Sequence, residues 1–484
     1  MIKARPPIVT ILGHVDHGKT TLLDYIRKSQ ITKSEHGGIT QKIGAYEIKT
    51  NFKDYKTDKI TFIDTPGHEA FSRLRSRGAN VADIAILLVD GKDSLMPQTI
   101  ESISHIKAAN IPFVVAINKI ELPEAKPEKI KIDLIKHEVL VEGKGGNVPV
   151  ALISAKTGKG VNELLEAILL IVSDLDLTYE DTNPPQAYVI ETKKDKRGII
   201  PSLIIKDGTI SVGDILFEAN HKIKVKALIN DSGKRVDQVA PSTPFEMMGF
   251  TEMPEVGTFI TSTPVFHPET AVEAPAQPKK IDMKDLLATP KIEKRLSLVI
   301  KADAVGSLEA IKQSLSENDN VDIILGAVGE VNKSDIFLAK TTKSIVIGFG
   351  VKPTAEAESL AKQEKVIIKT YNIIYELLEE LTEVADLLKE KEETEKSLKG
   401  EAKILATFII ERETIYGVKV TKGKINLGDN LELHRADKLI GKTKLVSLKI
   451  RAKNMPEVKK GDEAGMVFSP PLDIAIGDMV KSIL

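Results

Sequence analysis

A chain of 484 residues has room for three to four domains of ~100–200 residues each. With 68 Lys and Arg against 69 Asp and Glu the formal charge is −1, which excludes a globally basic nucleic-acid binder while leaving room for a local basic surface. The absence of cysteine excludes disulfides, thiolate metal sites and cysteine nucleophiles, and no apolar run approaches the ~18 residues of a membrane-spanning helix.

Residues 1–7 run directly into the first predicted strand and leave no room for a signal or transit peptide, so a cytoplasmic protein with no membrane partner is expected. Across residues 1–173, apolar runs at 7–12, 59–63, 84–89, 113–117 and 150–153 alternate with helical patterns such as 98–108 and 161–170. That order predicts βαβ units in a mostly parallel, doubly wound sheet with ligands at the strand C-terminal ends. The first strand leads into Gly13-His14-Val15-Asp16-His17-Gly18-Lys19-Thr20, the G-x-x-x-x-G-K-[ST] pattern of a P-loop, and Thr21 opens a stretch of helical spacing. Glycines let backbone N–H groups turn onto phosphate oxygens, and the following helix adds the positive end of its dipole. Lys19 can reach the β and γ phosphates, and the Thr20 hydroxyl can ligate Mg²⁺.

Four further elements follow in order. Glu35-His36-Gly37-Gly38-Ile39-Thr40 is polar and glycine-rich; most such stretches are plain loops, but this one can close over a γ-phosphate with Thr40 as a second ligand of Mg²⁺. Asp64-Thr65-Pro66-Gly67-His68 follows a strand end, where Asp64 can reach the metal through water and the Gly67 N–H can contact the γ-phosphate. Asn118-Lys119-Ile120-Glu121 follows another strand end, and Ser154-Ala155-Lys156 the next. In the Asn-Lys-x-acid element the carboxylate accepts two hydrogen bonds from guanine N1 and N2, a donor pair that adenine lacks, and an unpaired buried carboxylate rejects the wrong base. GTP is therefore the expected nucleotide. The acid here is Glu121, one methylene longer than the aspartate usual at this place; the alternative leaves it on the surface and gives the base to Asp133 or another group. A lone histidine is usually a surface or satisfied core residue. His68 follows the phosphate-sensing glycine, which favours a catalytic part orienting the attacking water, with Val15 and Ile39 as an apolar gate. His36, His105, His137, His221, His267 and His434 lack the spacing of a metal site and read as structural.

A polar linker at 174–186 precedes a β-rich segment, 187–264, punctuated by Asp207-Gly208, Val212-Gly213-Asp214, Asp231-Ser232-Gly233 and Val256-Gly257, and predicted to be a small antiparallel barrel. Residues 265–294 are proline-rich and read as a second linker. An α/β domain is expected over 295–371 and a connecting helix over 372–399, with Ile374, Leu377, Leu378, Leu381, Val384 and Leu388 on one face. The polar second half of that helix reads as solvent-bridging, or else as a frayed linker. Residues 400–484 form a second barrel with turns at Leu427-Gly428-Asp429, Lys460-Gly461-Asp462 and Ile476-Gly477-Asp478. Their 15 Lys and Arg against 11 Asp and Glu fit RNA contact as well as a solvated barrel surface. No heptad pattern is sustained, so a monomer is expected.

Residues 13–20, 37–46 and 64–71 together resemble the GTPase domain of the bacterial translation initiation factor 2 family. The resemblance continues through Gly208-Thr209, residues 212–216 and 224–228, the run Ile300-Lys301-Ala302-Asp303-Ala304-Val305-Gly306-Ser307-Leu308-Glu309-Ala310, and Gly348-Phe349-Gly350-Val351, where the family usually has Asn at 350. It implies GTP-binding roles for Gly13 through Thr21, Asp64, Gly67, Asn118, Lys119, Glu121, Ser154, Ala155 and Lys156, with Mg²⁺ at Thr20, Thr40 and Asp64. It implies delivery of initiator formyl-methionyl-tRNA to the small ribosomal subunit, joining of the large subunit and ribosome-triggered hydrolysis, with the C-terminal barrel as the tRNA-binding candidate. His14 and His17 are assigned loop-shaping or ribosome-facing places. The family's long N-terminal region has no counterpart here, so any anchoring it provides is expected to be absent. Two family cysteines of the last barrel are replaced by Val418 and Ala464, and Ile450 stands where an arginine is typical. The alternatives are another translational GTPase, acting in elongation or on a specialised tRNA, and a nucleotide-gated RNA-binding scaffold without useful hydrolysis.

Overall fold

The computed structural model describes residues 2–27, 41, 43–52, 55–264, 295–410, 413–436, 438–451 and 453–483, without the side chains of 392–397, 410 and 413. The predicted Ile39 and Thr40 lie outside the described residues. The chain divides into two compact units, one of residues 1–288 and 296–382, the other of 289–295 and 383–484.

In the first unit the N-terminal strands are β1 (Ile2–Ala4), β2 (Ile8–Gly13), β3 (Gly44–Lys49), β4 (Lys59–Asp64), β5 (Ile84–Asp90), β6 (Phe113–Asn118), β7 (Val150–Leu152) and β8 (Thr178–Glu180). The helices are α1 (Lys19–Arg27), α2 (Ser72–Val81), α3 (Pro97–Ala109), α4 (Pro127–Lys136) and α5 (Val161–Asp174). Six strands make one sheet in the order β3-β4-β2-β5-β6-β7, with every pairing parallel except β3 with β4. β3 was not expected from the sequence. It is a half-exposed edge strand whose only buried residue is Tyr46, so it lacks the apolar run that marks its neighbours.

β2 and β5 are buried along their whole length, as a parallel sheet covered on both faces requires. Alternation sorts β5 between two cores. Ile84, Ile86 and Leu88 pack with Leu22 of α1 and with Leu164 and Ile168 of α5, whereas Ala85, Leu87 and Val89 pack with Ile103 of α3 and Leu134 of α4. The buried residues of α5, at 161, 164, 165, 168, 169 and 172, follow the helical period.

A barrel-like segment follows, its main sheet containing Gln186–Asp195 paired antiparallel with Gly198–Asp207, around Val189, Leu203, Leu216 and Met247. The strands Val321–Val328, Leu296–Ala302, Ile345–Phe349 and Ile368–Tyr371 lie side by side in that order as a parallel sheet. Between them run the helices Val305–Ser316, Lys333–Thr342 and Ala355–Glu364. The helix Ile374–Ser397 then begins, burying Ile374, Leu377, Leu381 and Ala385 along one face. It ends at Ser397, and Leu398 and Lys399, expected in the helix, already belong to a strand.

In the second unit six strands close on themselves. In ring order they are Leu398–Ile410, Met479–Ile483, Asn430–Arg435, Lys438–Ile450, Glu463–Ser469 and Glu413–Asn426, the last pairing back with the first. The closed ring leaves these strands no free edge in the sheet.

Candidate active site

At β2 the sheet order reverses, since β4 lies on one side and β5 on the other. Open parallel sheets bind their ligands at such a point, beyond the strand C-terminal ends. Here β2 gives way to a single 3₁₀ turn, Val15–His17, and α1 starts at Lys19. Gly18 has φ +89°, and a Cβ there would fall 2.6 Å from Asn118 Nδ2, so both conformation and space demand glycine.

His17 is fully buried with Nδ1 3.1 Å from the Leu88 carbonyl oxygen. That burial places the ring inside the loop rather than on its surface, and it pushes the imidazole pKa down to about 4. The half-buried His14 lies beside it, with ring centroids 5.2 Å apart. The Val15 N–H donates to Gln98 Oε1 at 3.2 Å.

Lys19 is almost wholly buried and donates to the carbonyls of Gly13 at 2.9 Å and His14 at 2.6 Å. Burial brings its ammonium down to about 7, against the opposing pull of Asp64. Asp64 ends β4 in register with Ile11 of β2. Thr20 is half-buried in the first turn of α1, while Asp16 and Thr21 are exposed. A Cβ on Gly67 would come within 2.2 Å of Lys19 Nζ and 2.9 Å of Val15 Cα, so this loop approaches the P-loop as closely as a glycine allows.

Asn118 ties three loops together. Its Nδ2 donates to the His17 carbonyl at 2.8 Å, and its Oδ1 accepts the Ala155 N–H at 2.8 Å. Lys119, at φ +61°, pairs with Asp90. Burial drives the Asp90 carboxyl up, but the Lys119 ammonium and the Lys92 N–H hold it below its ordinary value. Ser154 is fully buried and Lys156 exposed. Glu121 is exposed in the loop after β6. The alternative base reader, Asp133, sits on α4 with one oxygen accepting from Ser94 Oγ at 3.0 Å and the other from Lys136 at 2.7 Å.

His68 is 9% exposed, and its Nδ1 accepts the Ala70 N–H at 2.9 Å. Burial lowers its pKa, so the ring is neutral at physiological pH. With Nδ1 an acceptor, the hydrogen-bond assignment puts the proton on Nε2. The ring lies against Tyr375, 4.2 Å between centroids, and edge-on to Phe71 at 6.0 Å.

Sequence reasoning missed several partners of these loops. Gln41 donates from Nε2 to the Asn372 carbonyl at 2.8 Å and accepts the Ile374 N–H at 2.9 Å. Thus the residue after Thr40 and the ring of His68 both meet the start of one distant helix. Arg75 and Glu101 buttress the Pro66–Glu69 stretch. No local motif marks any of them. Among the described residues no group of three or more His, Asp or Glu side chains could hold a metal by themselves, and no helix is long and apolar enough to cross a membrane.

A P-loop at a topological switch point, a glycine closing on its lysine, and an Asn-Lys element bound to both neighbouring loops together define a GTP-binding protein. Residues 5–174 match the family described as Elongation factor Tu GTP binding domain, and residues 184–263 match Elongation factor G domain 2. Residues 272–382 match Translation-initiation factor 2. Proteins called Translation initiation factor IF-2 are similar over 99% of the chain: 40% identical in Halothermothrix orenii, 40% in a Geobacillus species and 41% in Aquifex aeolicus. The chain spans 72%, 67% and 61% of their respective lengths. It is a translational GTPase, hydrolysing GTP. It belongs to the translation initiation factor IF-2 family and acts in initiation rather than in elongation or as a catalytically idle scaffold.

Proposed function

We propose that the P-loop N–H groups and Lys19 hold the β and γ phosphates, that Gly67 senses the γ-phosphate through its N–H, and that His68 orients the attacking water. The observation that carries this is the close approach of Gly67 to the P-loop, where a Cβ would fall 2.2 Å from the Nζ of buried Lys19 and 2.9 Å from Val15 Cα, with His68 the next residue in the chain. A neutral His68 carrying its proton on Nε2 donates a hydrogen bond to a water oxygen; its part is to position the nucleophile, not to take its proton.

Oxygen donors suit the hard cation Mg²⁺, and it would be held by the Thr20 hydroxyl and by Thr40, with the Asp64 carboxylate reaching it through water. When bound, Mg²⁺ neutralises charge developing on the β- and γ-phosphate oxygens. Asn118 and Lys119 frame the base, Glu121 reads guanine N1 and N2, and Ser154, Ala155 and Lys156 close the base side. Val15 and Ile39 are the walls of an apolar gate around His68.

On this reading the protein is cytoplasmic and monomeric. It brings initiator formyl-methionyl-tRNA to the small ribosomal subunit, promotes joining of the large subunit and hydrolyses GTP when the ribosome triggers it. The domain bounds that go with it are 1–173, 187–264, 295–371 and 400–484, with a linker at 265–294 and Ile374–Ser397 as the connecting helix. Replacing His68→Ala should leave GTP affinity near that of the parent and lower ribosome-stimulated hydrolysis by ~100-fold or more, the scale of a positioned catalytic group. Equal stimulated rates in variant and parent would remove His68 from the mechanism.

A further inference from the structure

Arg75 of α2 is fully buried, and a buried charge is stable only when paired and hydrogen-bonded. Its Nη1 donates to two backbone carbonyls, that of Pro66 at 3.1 Å and that of His68. Its Nη2 donates to Glu101 of α3 at 2.9 and 2.7 Å. Glu101 in turn accepts from Ser72 Oγ and lies 3.1 Å from His105 Nε2. Burial drives the Glu101 carboxyl up, but His105, Ser72 and Arg75 together hold it at about 2, so it stays charged.

A trans peptide is planar, with its C=O and the following N–H pointing in opposite directions. Anchoring the Pro66 carbonyl on the guanidinium therefore turns the Gly67 N–H away from Arg75. On its other side Gly67 abuts Lys19 Nζ and Val15 Cα. Anchoring the His68 carbonyl fixes the His68–Glu69 peptide plane, so the planes on both sides of the Gly67–His68 peptide are held by one side chain.

We propose that Arg75, braced by Glu101, is the positioning residue of this loop, presenting the Gly67 N–H to the γ-phosphate and seating the backbone of His68. The proposal rests on the reading of Gly67 as the γ-phosphate sensor. A lysine cannot replace the arginine in full, because one ammonium cannot reproduce a planar fork spanning two carbonyls and a carboxylate.

The test uses the full chain, fluorescent GTP and GDP analogues, and ribosome-stimulated turnover. Arg75→Met should lower GTP affinity about tenfold or more while GDP affinity stays within about twofold, the scale of a lost charge-assisted hydrogen bond. Stimulated kcat should fall by about tenfold or more with the ribosome concentration for half-maximal rate little changed, Arg75→Lys lying between variant and parent. Glu101→Gln should shift the GTP-to-GDP preference in the same direction by about threefold. A folded Arg75→Met with the parental preference would overturn the proposal, and so would equal loss of both nucleotides, which is what general packing damage produces. Should Arg75→Met fail to fold, Glu101→Gln decides, and an unchanged preference there overturns it. Gly67→Ala tests the underlying reading separately. If Gly67→Ala keeps the parental preference, the sensor reading fails; if only Arg75→Met keeps it, the positioning role alone fails.

Discussion

His17 shows how one ring couples the P-loop to pH. In the folded protein its pKa lies at about 4 because burial penalises the charged ring. Unfolded, the ring titrates near its ordinary value of 6.5. Between these values the unfolded chain binds more protons, so stability is fully present above about 6.5 and falls as pH drops toward 4. The difference corresponds to roughly 3 kcal/mol at the acid end. His17→Asn offers an amide near the position of Nδ1, keeping a donor for the Leu88 carbonyl, but does not titrate. Its melting temperature, scanned from pH 7.5 to about 4, should fall less steeply than that of the parent; parallel curves would contradict the linkage.

The Gly-Asp turns act at the scale of the element. In four of them, ending at Asp214, Asp429, Asp462 and Asp478, the carboxylate accepts the N–H three residues earlier, from Ser211, Asn426, Lys459 and Ala475. The glycine before each has φ between +90° and +100°, which lets the chain turn beneath that bond. The turns differ in what else they hold. Asp429 is buried and also accepts from Ser482 Oγ of the neighbouring strand at 2.7 Å and faces Lys399 at 3.4 Å. Burial pushes its carboxyl up, yet the Asn426 N–H, Ser482 and Lys399 keep it below its ordinary value. Asp429→Ala should therefore cost ~1–3 kcal/mol, because it strands a buried hydroxyl and a backbone donor. Asp462→Ala, at a half-buried turn, should cost ~0.5–1 kcal/mol. Hydrogen-exchange protection of the strand Met479–Ile483 in the full chain checks the ordering, and equal loss in both variants would contradict it.

At the scale of the whole molecule, the first unit is tied together by polar contacts between residues far apart in sequence. Arg5 forks onto Asp83 at 2.6 and 2.7 Å, and Thr61 Oγ1 donates to the Ser242 carbonyl at 2.6 Å. Arg77 pairs with Glu309, and Glu191 accepts the Gly306 N–H at 3.1 Å in the first turn of the helix Val305–Ser316. In the second unit, Val418 and Ala464 pair across adjacent strands, 1% and 6% exposed, within the barrel core. Their apolar side chains therefore fill the interior, where a cysteine would also pack as a small hydrophobe. Val418→Cys should change the ratio of affinities for formylated and unformylated initiator methionyl-tRNA by less than about twofold, since Val and Cys differ little in buried apolar area. Filter binding on the full chain reads this directly, and a larger change would make the position part of the recognition surface.

The P-loop and the elements at 64–68, 118–121 and 154–156 were legible because each is contiguous, and its chemistry is set by residue type and spacing within a few positions. The core strands of the first sheet were legible because burial on both faces writes an apolar run into the chain. The edge strand Gly44–Lys49 was not, since half-exposed pairing leaves no such run. The partners of the switch loops were equally hidden. Gln41 on 372–374, Tyr375 on His68, and Arg75 with Glu101 on the carbonyls of Pro66 and His68 are contacts between segments whose separation in sequence carries no periodic signal. Sequence by itself determined which chemistry the chain carries and the order of its parts, because these depend on local residue patterns. Only the tertiary structure decided how that chemistry is held, because a buried charge or amide takes its partner from whatever the fold brings beside it.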